Sequence, residues 1–260
     1  MVANTRLTLK SDCKKRIKII VRKHIKIIFL FKIISIYDIY MVIYQDSQIS
    51  ITAKNKKDFV IQIEHWDSTY KKFWVNFPFV LLNVTSKNTD ADKRIYTITA
   101  GKVEMLDDII KRRRMPYNEC MSLMYDVGNQ IQSLEMFGIG IPFIKPNDIL
   151  VVDSKHFFIV NTNRILQLSN NMLTIDTPYK KSAYFSPEML NITAIPSNIH
   201  WKSAYYSLAS LVVYCLTGVD ILGSKNSPGE NLDKIYATKL YWALLRCLEP
   251  KPQDRYYLLI

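Results

Sequence analysis

Apolar positions in residues 41–100 recur in short runs separated by polar breaks: Met41–Tyr44, Ile49–Thr52, Phe59–Ile63, Phe79–Val84 and Ile95–Thr99. Runs of about 4–8 residues with this patterning predict strands. Residues 67–75 read as one short helix between them. After Gly101 the period lengthens. Leu106–Arg114 reads as a helix closed by Met115-Pro116, since a residue before proline is pushed out of helical geometry. Asn118 is placed to cap the next helix, in which Met124, Val127, Ile131 and Leu134 share one face and which ends near Phe137-Gly138. Two short apolar runs, Ile149–Val152 and Phe157–Val160, flank the turn residues Asp153-Ser154-Lys155 and predict a hairpin. Trp201, Tyr205, Leu208, Val212 and Cys215 form a second helical stripe. The pattern as a whole predicts an α+β protein, strand-rich first and helical later.

Composition narrows this picture. A 260-residue chain with 48% hydrophobic and 12% aromatic residues has ample material for a core and is not a generally disordered sequence. The formal charge is +12, yet residues 1–40 hold ten Lys or Arg against Asp12 and Asp38, leaving about +4 for the rest. The basic signal belongs to the N-terminal arm, so no specific nucleic-acid partner is expected. Cys13, Cys120, Cys215 and Cys247 are far apart and show no Cys-x-x-Cys pairing. A zinc site or disulfide framework is therefore disfavoured, and a reducing, intracellular setting, most simply the cytoplasm, is expected.

Residues 14–45 alternate basic residues with Ile, Phe, Leu and Tyr, and Lys32 and Asp38 interrupt the apolar run from Ile27 to Tyr44. A spanning helix needs about 20 predominantly apolar residues. No small-residue cleavage site follows the run. The arm reads as a membrane-surface anchor, as an element packed on the domain, or as an extension upstream of a start at Met41. The last is preferred because domain-like patterning begins after Met41. Membrane contact is expected only through residues 14–45.

Lys145-Pro146-Asn147-Asp148-Ile149-Leu150 resembles the Lys-Pro-x-Asn-Ile-Leu end of the protein-kinase catalytic loop. The hairpin that follows leads to Asn161-Thr162-Asn163, at the spacing of the family's Asp-Phe-Gly motif. Phe185-Ser186-Pro187-Glu188 is similar to the Ala-Pro-Glu motif, Tyr206-Ser207-Leu208-Ala209 to the central Trp-Ser-Leu-Gly helix, and Leu244 to Leu248 with Pro252 and Arg255 to the late Pro-x-x-Arg element. The resemblance is to the eukaryotic-type protein kinases. It implies a two-lobed fold with a reduced β-rich N-lobe over 41–100 and a mainly helical C-lobe over 101–260.

The same resemblance assigns site residues. Lys145 would contact the transferred phosphate, Asp148 and Asn161 would hold Mg²⁺ with the family's Asn and Asp exchanged, and Glu104 would face the ribose of ATP. Glu188 and Arg255 would form the structural pair. Departures from the family are severe. The catalytic aspartate position holds Phe143, which can neither accept a proton nor orient a hydroxyl, and losing a general base costs about 10²–10⁴ in rate. No glycine precedes Gly101, so a glycine-rich phosphate-covering loop cannot be built. No lysine lies within Phe59–His65 to grip phosphate, and Ala204 stands where the central helix would carry an aspartate. The resemblance therefore implies a pseudokinase: a binding or regulatory module whose partner is another protein, with ATP and Mg²⁺ bound weakly or not at all. A divergent active kinase and a purely structural C-lobe-type interaction domain remain alternatives.

Overall fold

The computed structural model describes residues 41–64, 68–89 and 93–259, and the readings placed on residues 1–40 lie outside them. The chain is mixed α+β. Its first sheet comprises β1 (Met41–Gln45), β2 (Ile49–Ala53), β3 (Asp58–Ile63), β4 (Val84–Thr89) and β5 (Arg94–Thr99), ordered β1-β2-β3-β5-β4. Period-2 patterning sends Ile49, Ile51, Phe59, Ile61, Ile63, Tyr96 and Ile98 into the core. Helix α1 (Ser68–Val75) contributes Phe73 and Trp74 to the same core.

One expected strand is not formed as read. Phe79–Leu81 is a 3-10 turn, and β4 begins only at Val84. Pro78 has no N–H for a ladder, and the chain bends so that Phe79 N–H donates to Phe77 O at 2.7 Å. Phe79 still packs, stacked on Tyr96 at 4.1 Å, while the strand itself recruits the polar Thr85–Asn88 stretch through pairing with β5.

The second half is built on α3 (Tyr117–Met136) and α5 (Ser203–Thr217). Helix α3 starts at Tyr117 with the extended Pro116 as its cap, two residues ahead of the Asn118 cap expected from sequence. Its buried stripe includes Met124, Val127, Ile131 and Leu134. Gly128 permits a close approach: a Cβ there would sit 2.3 Å from Cε2 of Tyr257. Helix α5 buries nearly every residue from Ser203 to Val213, as expected of a helix enclosed on all sides. Helix α6 (Lys239–Cys247) packs on α5, α2 (Leu106–Arg112) packs against β6 (Val103–Met105) and the strand Ile149–Val152, and α4 (Pro187–Leu190) is a single turn. No helix among the described residues is long and apolar enough to cross a membrane.

Three short strands, β6 (Val103–Met105), β8 (Ile149–Val152) and β9 (His156–Ile159), form a sheet ordered β6-β8-β9. The β8–β9 turn places Asp153 and Ser154 at φ 55 and 54, the positive values that favour Asn, Asp and Gly in hairpins. A further sheet, ordered β12-β11-β10-β7, comprises β7 (Ile139–Gly140), β10 (Leu166–Ser169), β11 (Met172–Ile175) and β12 (Ser197–His200). This hairpin went unread in the sequence, although Asn170-Asn171, both at positive φ, supply its two-residue turn.

Candidate functional site

The β8–β9 hairpin carries the site because both of its ends are pinned. Helix α3 treats β9 as a strand would: Asp126 Oδ2 accepts Phe157 N–H at 2.9 Å, Gln130 Oε1 accepts Ile159 N–H at 2.9 Å, and Gln130 Nε2 donates to Phe157 O at 2.8 Å. Two side chains thus satisfy the backbone of a strand edge that water would otherwise solvate. Burial pushes the Asp126 carboxyl up, partly offset by the Phe157 N–H and by His156.

Helix α5 fixes the loop before the hairpin. Ser207 Oγ donates to Ile144 O at 3.1 Å and lies 2.8 Å from Ile144 N–H, while Ser203 Oγ reaches Pro142 O at 2.7 Å. Ser203, Ser207 and Ser186 are all fully buried, and Ser186 Oγ lies 2.7 Å from Ser203 Oγ. Ala204, between the two serines, takes no part in these bonds. Two neighbouring hydroxyls hold the loop instead. Sequence reasoning missed them, since serine in a helix carries no signal until its partner is known.

At the hairpin mouth the chain brings Phe143, Lys145, Asp148 and Asn161 together. Asp148 is buried and both of its carboxylate oxygens are engaged: Oδ2 accepts Lys145 N–H at 2.7 Å and an N–H of Arg164, and Oδ1 accepts Asn161 Nδ2 at 2.7 Å. Asn161 Oδ1 in turn accepts Asn163 N–H at 3.0 Å. Every oxygen nominated as a metal ligand is therefore already holding a proton donor. A divalent cation within about 4 Å of the Arg164 charge would meet a repulsion of about 8 kcal/mol at an effective dielectric of about 20. As arranged, these residues do not fit Mg²⁺. Among the described residues no group of three or more His, Cys, Asp or Glu forms a metal cluster.

Phe143 is an interior ring, 1% exposed, packed edge-on against Tyr179 at 5.1 Å and Phe185 at 4.6 Å. Two cations lie over it, Arg164 Cζ at 4.5 Å and Lys145 Nζ at 5.2 Å from the ring centroid. Desolvation depresses the Lys145 ammonium below its usual range; Arg164 and Lys180 depress it further, and Asp148 opposes them. The β1–β2 turn reaches the same region, with Ser47 Oγ 3.2 Å from Asn163 Oδ1. Tyr44, from β1, donates to Asp46 Oδ2 at 3.0 Å, and burial above all raises its phenol. Thr162 Oγ1, beside Asn161, is buried without a hydrogen-bond partner.

The other nominated residues lie in separate clusters. Glu104, in β6 opposite Val151, is held by Lys102 at 2.7 Å and by Arg112. Burial raises its carboxyl, but the two cations outweigh this and leave it below its ordinary value. Glu188 and Arg255 form a bidentate pair, Nη1 to Oε1 at 2.5 Å and Nη2 to Oε2 at 2.8 Å. Arg255 is fully buried, donates also to Glu249 O at 2.6 Å and Pro250 O at 2.7 Å, and lies over the Tyr206 ring at 5.0 Å.

Arg164 is the member of the Asp148 cluster that sequence reasoning passed over. Its only signal was a basic residue directly after Asn161-Thr162-Asn163. No protein-family model matches the chain, and no curated protein matches it in sequence.

Proposed function

We propose that this chain is a degenerate protein-kinase-like domain, a pseudokinase that acts by binding another protein and does not transfer phosphate. The observation that carries the reading is the chemistry around Asp148. The loop's carboxylate is neutralised by Arg164, and the position of the family's catalytic base is a buried phenylalanine. Phenylalanine at that position can neither take a proton from a hydroxyl nor orient it for attack.

The two-lobed arrangement is part of the same proposal. It is supported by the element order: an antiparallel-paired sheet with one helix, then a connector through β6, then a helical half carrying the loop and hairpin. The Glu188–Arg255 pair and the α5-anchored loop are architectural features that would outlast lost catalysis. An intracellular, cytoplasmic setting belongs to the reading as well: Cys120, Cys215 and Cys247 are unpaired and buried, and burial pushes the Cys120 and Cys247 thiols up to about 12.

The test is phosphate incorporation from labelled ATP, with Mg²⁺ or Mn²⁺, into the full chain itself and into a general acceptor such as casein. Incorporation at the no-enzyme background is expected. Transfer that disappears in Lys145→Ala would overturn the reading and establish a divergent active kinase.

A further inference from the structure

We propose that the cavity between the end of α5 and the 3-10 turn Glu230–Ile235 binds a small zwitterion with an apolar body, the chemistry of an apolar α-amino acid or a short peptide. The proposal is independent of the kinase-like reading and of the Asp148 loop.

The cavity holds about 540 Å³, within the range of about 300–1,000 Å³ usual for small-molecule sites. Leu216, Val219, Leu232 and Ile235 give it apolar walls, and the last two are buried. Its charged lining is balanced, Arg114 and Lys234 against Glu230 and Asp233. The walls are held by the chain's own bonds. Met115 N–H donates to Cys215 O at 2.9 Å and ties the segment carrying Arg114 to the last turn of α5. The side chains of Ser224 and Asn231 meet at 3.2 Å, and Glu230 Oε2 accepts Ser227 N–H at 2.7 Å, which fixes the entry to the 3-10 turn.

Arg114 is set apart from the two arginines before it. Arg112 is paired with Glu104, and Arg113 with both oxygens of Glu119. Among the described residues Arg114 has no carboxylate partner; its guanidinium lies 5.9 Å from the centre of the Tyr214 ring and against Gly218, whose missing Cβ leaves it room. Asp233 likewise forms no ion pair among the described residues. A guanidinium fork accepts a carboxylate in bidentate geometry. A plain anion entering the cavity would meet Glu230 and Asp233, and a plain cation would meet Arg114 and Lys234. A ligand that carries both charges on an apolar group satisfies all three kinds of wall.

The test is a ligand-observed NMR titration of the full chain with L-phenylalanine and with the dipeptide alanyl-phenylalanine. Phenylalaninamide, phenylpropionate and glycine serve as probes lacking the carboxylate, the ammonium and the apolar body. Saturable binding is expected for the amino acid or the dipeptide, with the three partial probes about tenfold weaker or more. Whichever of the two binds tighter identifies the source, and either supports the proposal. Arg114→Leu breaks no ion pair and should weaken binding about tenfold or more at an unchanged melting temperature. Asp233→Asn gives a second, independent reading: it should weaken L-phenylalanine and leave phenylpropionate no weaker than before. No saturable binding, partial probes that bind as well as the zwitterions, or unchanged affinity in both variants would overturn the proposal. Phosphate transfer by the chain would overturn the pseudokinase reading and leave this one standing.

Discussion

Replacing Arg255 by alanine removes a guanidinium that is fully buried and makes four hydrogen bonds, two to Glu188 and one each to the carbonyls of Glu249 and Pro250. The lost partner leaves a carboxylate and two carbonyls to find new donors. Breaking a buried pair from one side costs about 3–5 kcal/mol. Glu188 keeps 18% side-chain exposure, so water recovers part of its solvation and the lower end, about 3 kcal/mol, is expected. Against a total stability of about 5–15 kcal/mol this is a large fraction, equivalent to about 6–12 °C in melting temperature for a chain of this size. Urea unfolding followed by tryptophan fluorescence reads it as a lower midpoint with an unchanged slope. Arg255→Lys keeps the charge but not the fork and should fall between the two. The double variant Glu188→Leu/Arg255→Met should lose less than the sum of the single losses. A loss below about 1 kcal/mol for Arg255→Ala, the level of a surface pair, would refute the claim that this pair ties α4 to the chain after α6.

Other outcomes follow from the same contacts. Ser207→Ala leaves Ile144 N–H and C=O unpaired inside the core and should cost about 1–3 kcal/mol by urea unfolding. Gly218 caps α5 at φ 75, so Gly218→Ala should cost about 1–2 kcal/mol from the left-handed backbone alone; Arg114, whose Cζ would lie 1.7 Å from the new Cβ, has a long side chain that can swing aside. The carboxyl of Glu104 sits below its ordinary value of 4.5 in the folded state, so its contribution is present above that pH and is lost as pH falls through the depressed value. The stability gap between the unaltered chain and Glu104→Gln should therefore narrow below pH 4.5 and hold constant at neutrality.

The arrangement at Asp148 shows how the loop keeps its shape without a ligand. A carboxylate buried with no counter-charge would be costly. Arg164 supplies the counter-charge internally, and Phe143 offers the ring on which Arg164 and Lys145 lie. The loop geometry is held by Ser203 and Ser207 from below and by Asn161 from the side, none of which needs a ligand to be in place.

The sequence by itself determined the α+β class, the strand periods of β2, β3, β5 and β8, and the buried stripes of α3 and α5. These are signals within one element, where period 2 or period 3.6 decides which face meets the core. Motif spacing brought Phe143, Lys145, Asp148 and Asn161 into one field of view, and paired Glu188 with Arg255. Only the tertiary structure decided what those residues are bonded to. Ser203 and Ser207 are 61 and 63 positions from the carbonyls they hold, and Gln130 is 27 and 29 positions from the strand it edges. Nothing in a local pattern distinguishes such a serine or glutamine from one that faces solvent. Arg164 stands 16 positions from Asp148, close enough to notice, yet its direction is fixed only once the hairpin folds back and the Phe143 ring gives it a surface. The same holds for residues 79–84, where the apolar run begins as a 3-10 turn after Pro78 and Val84 to Thr89 pair with β5 in its place.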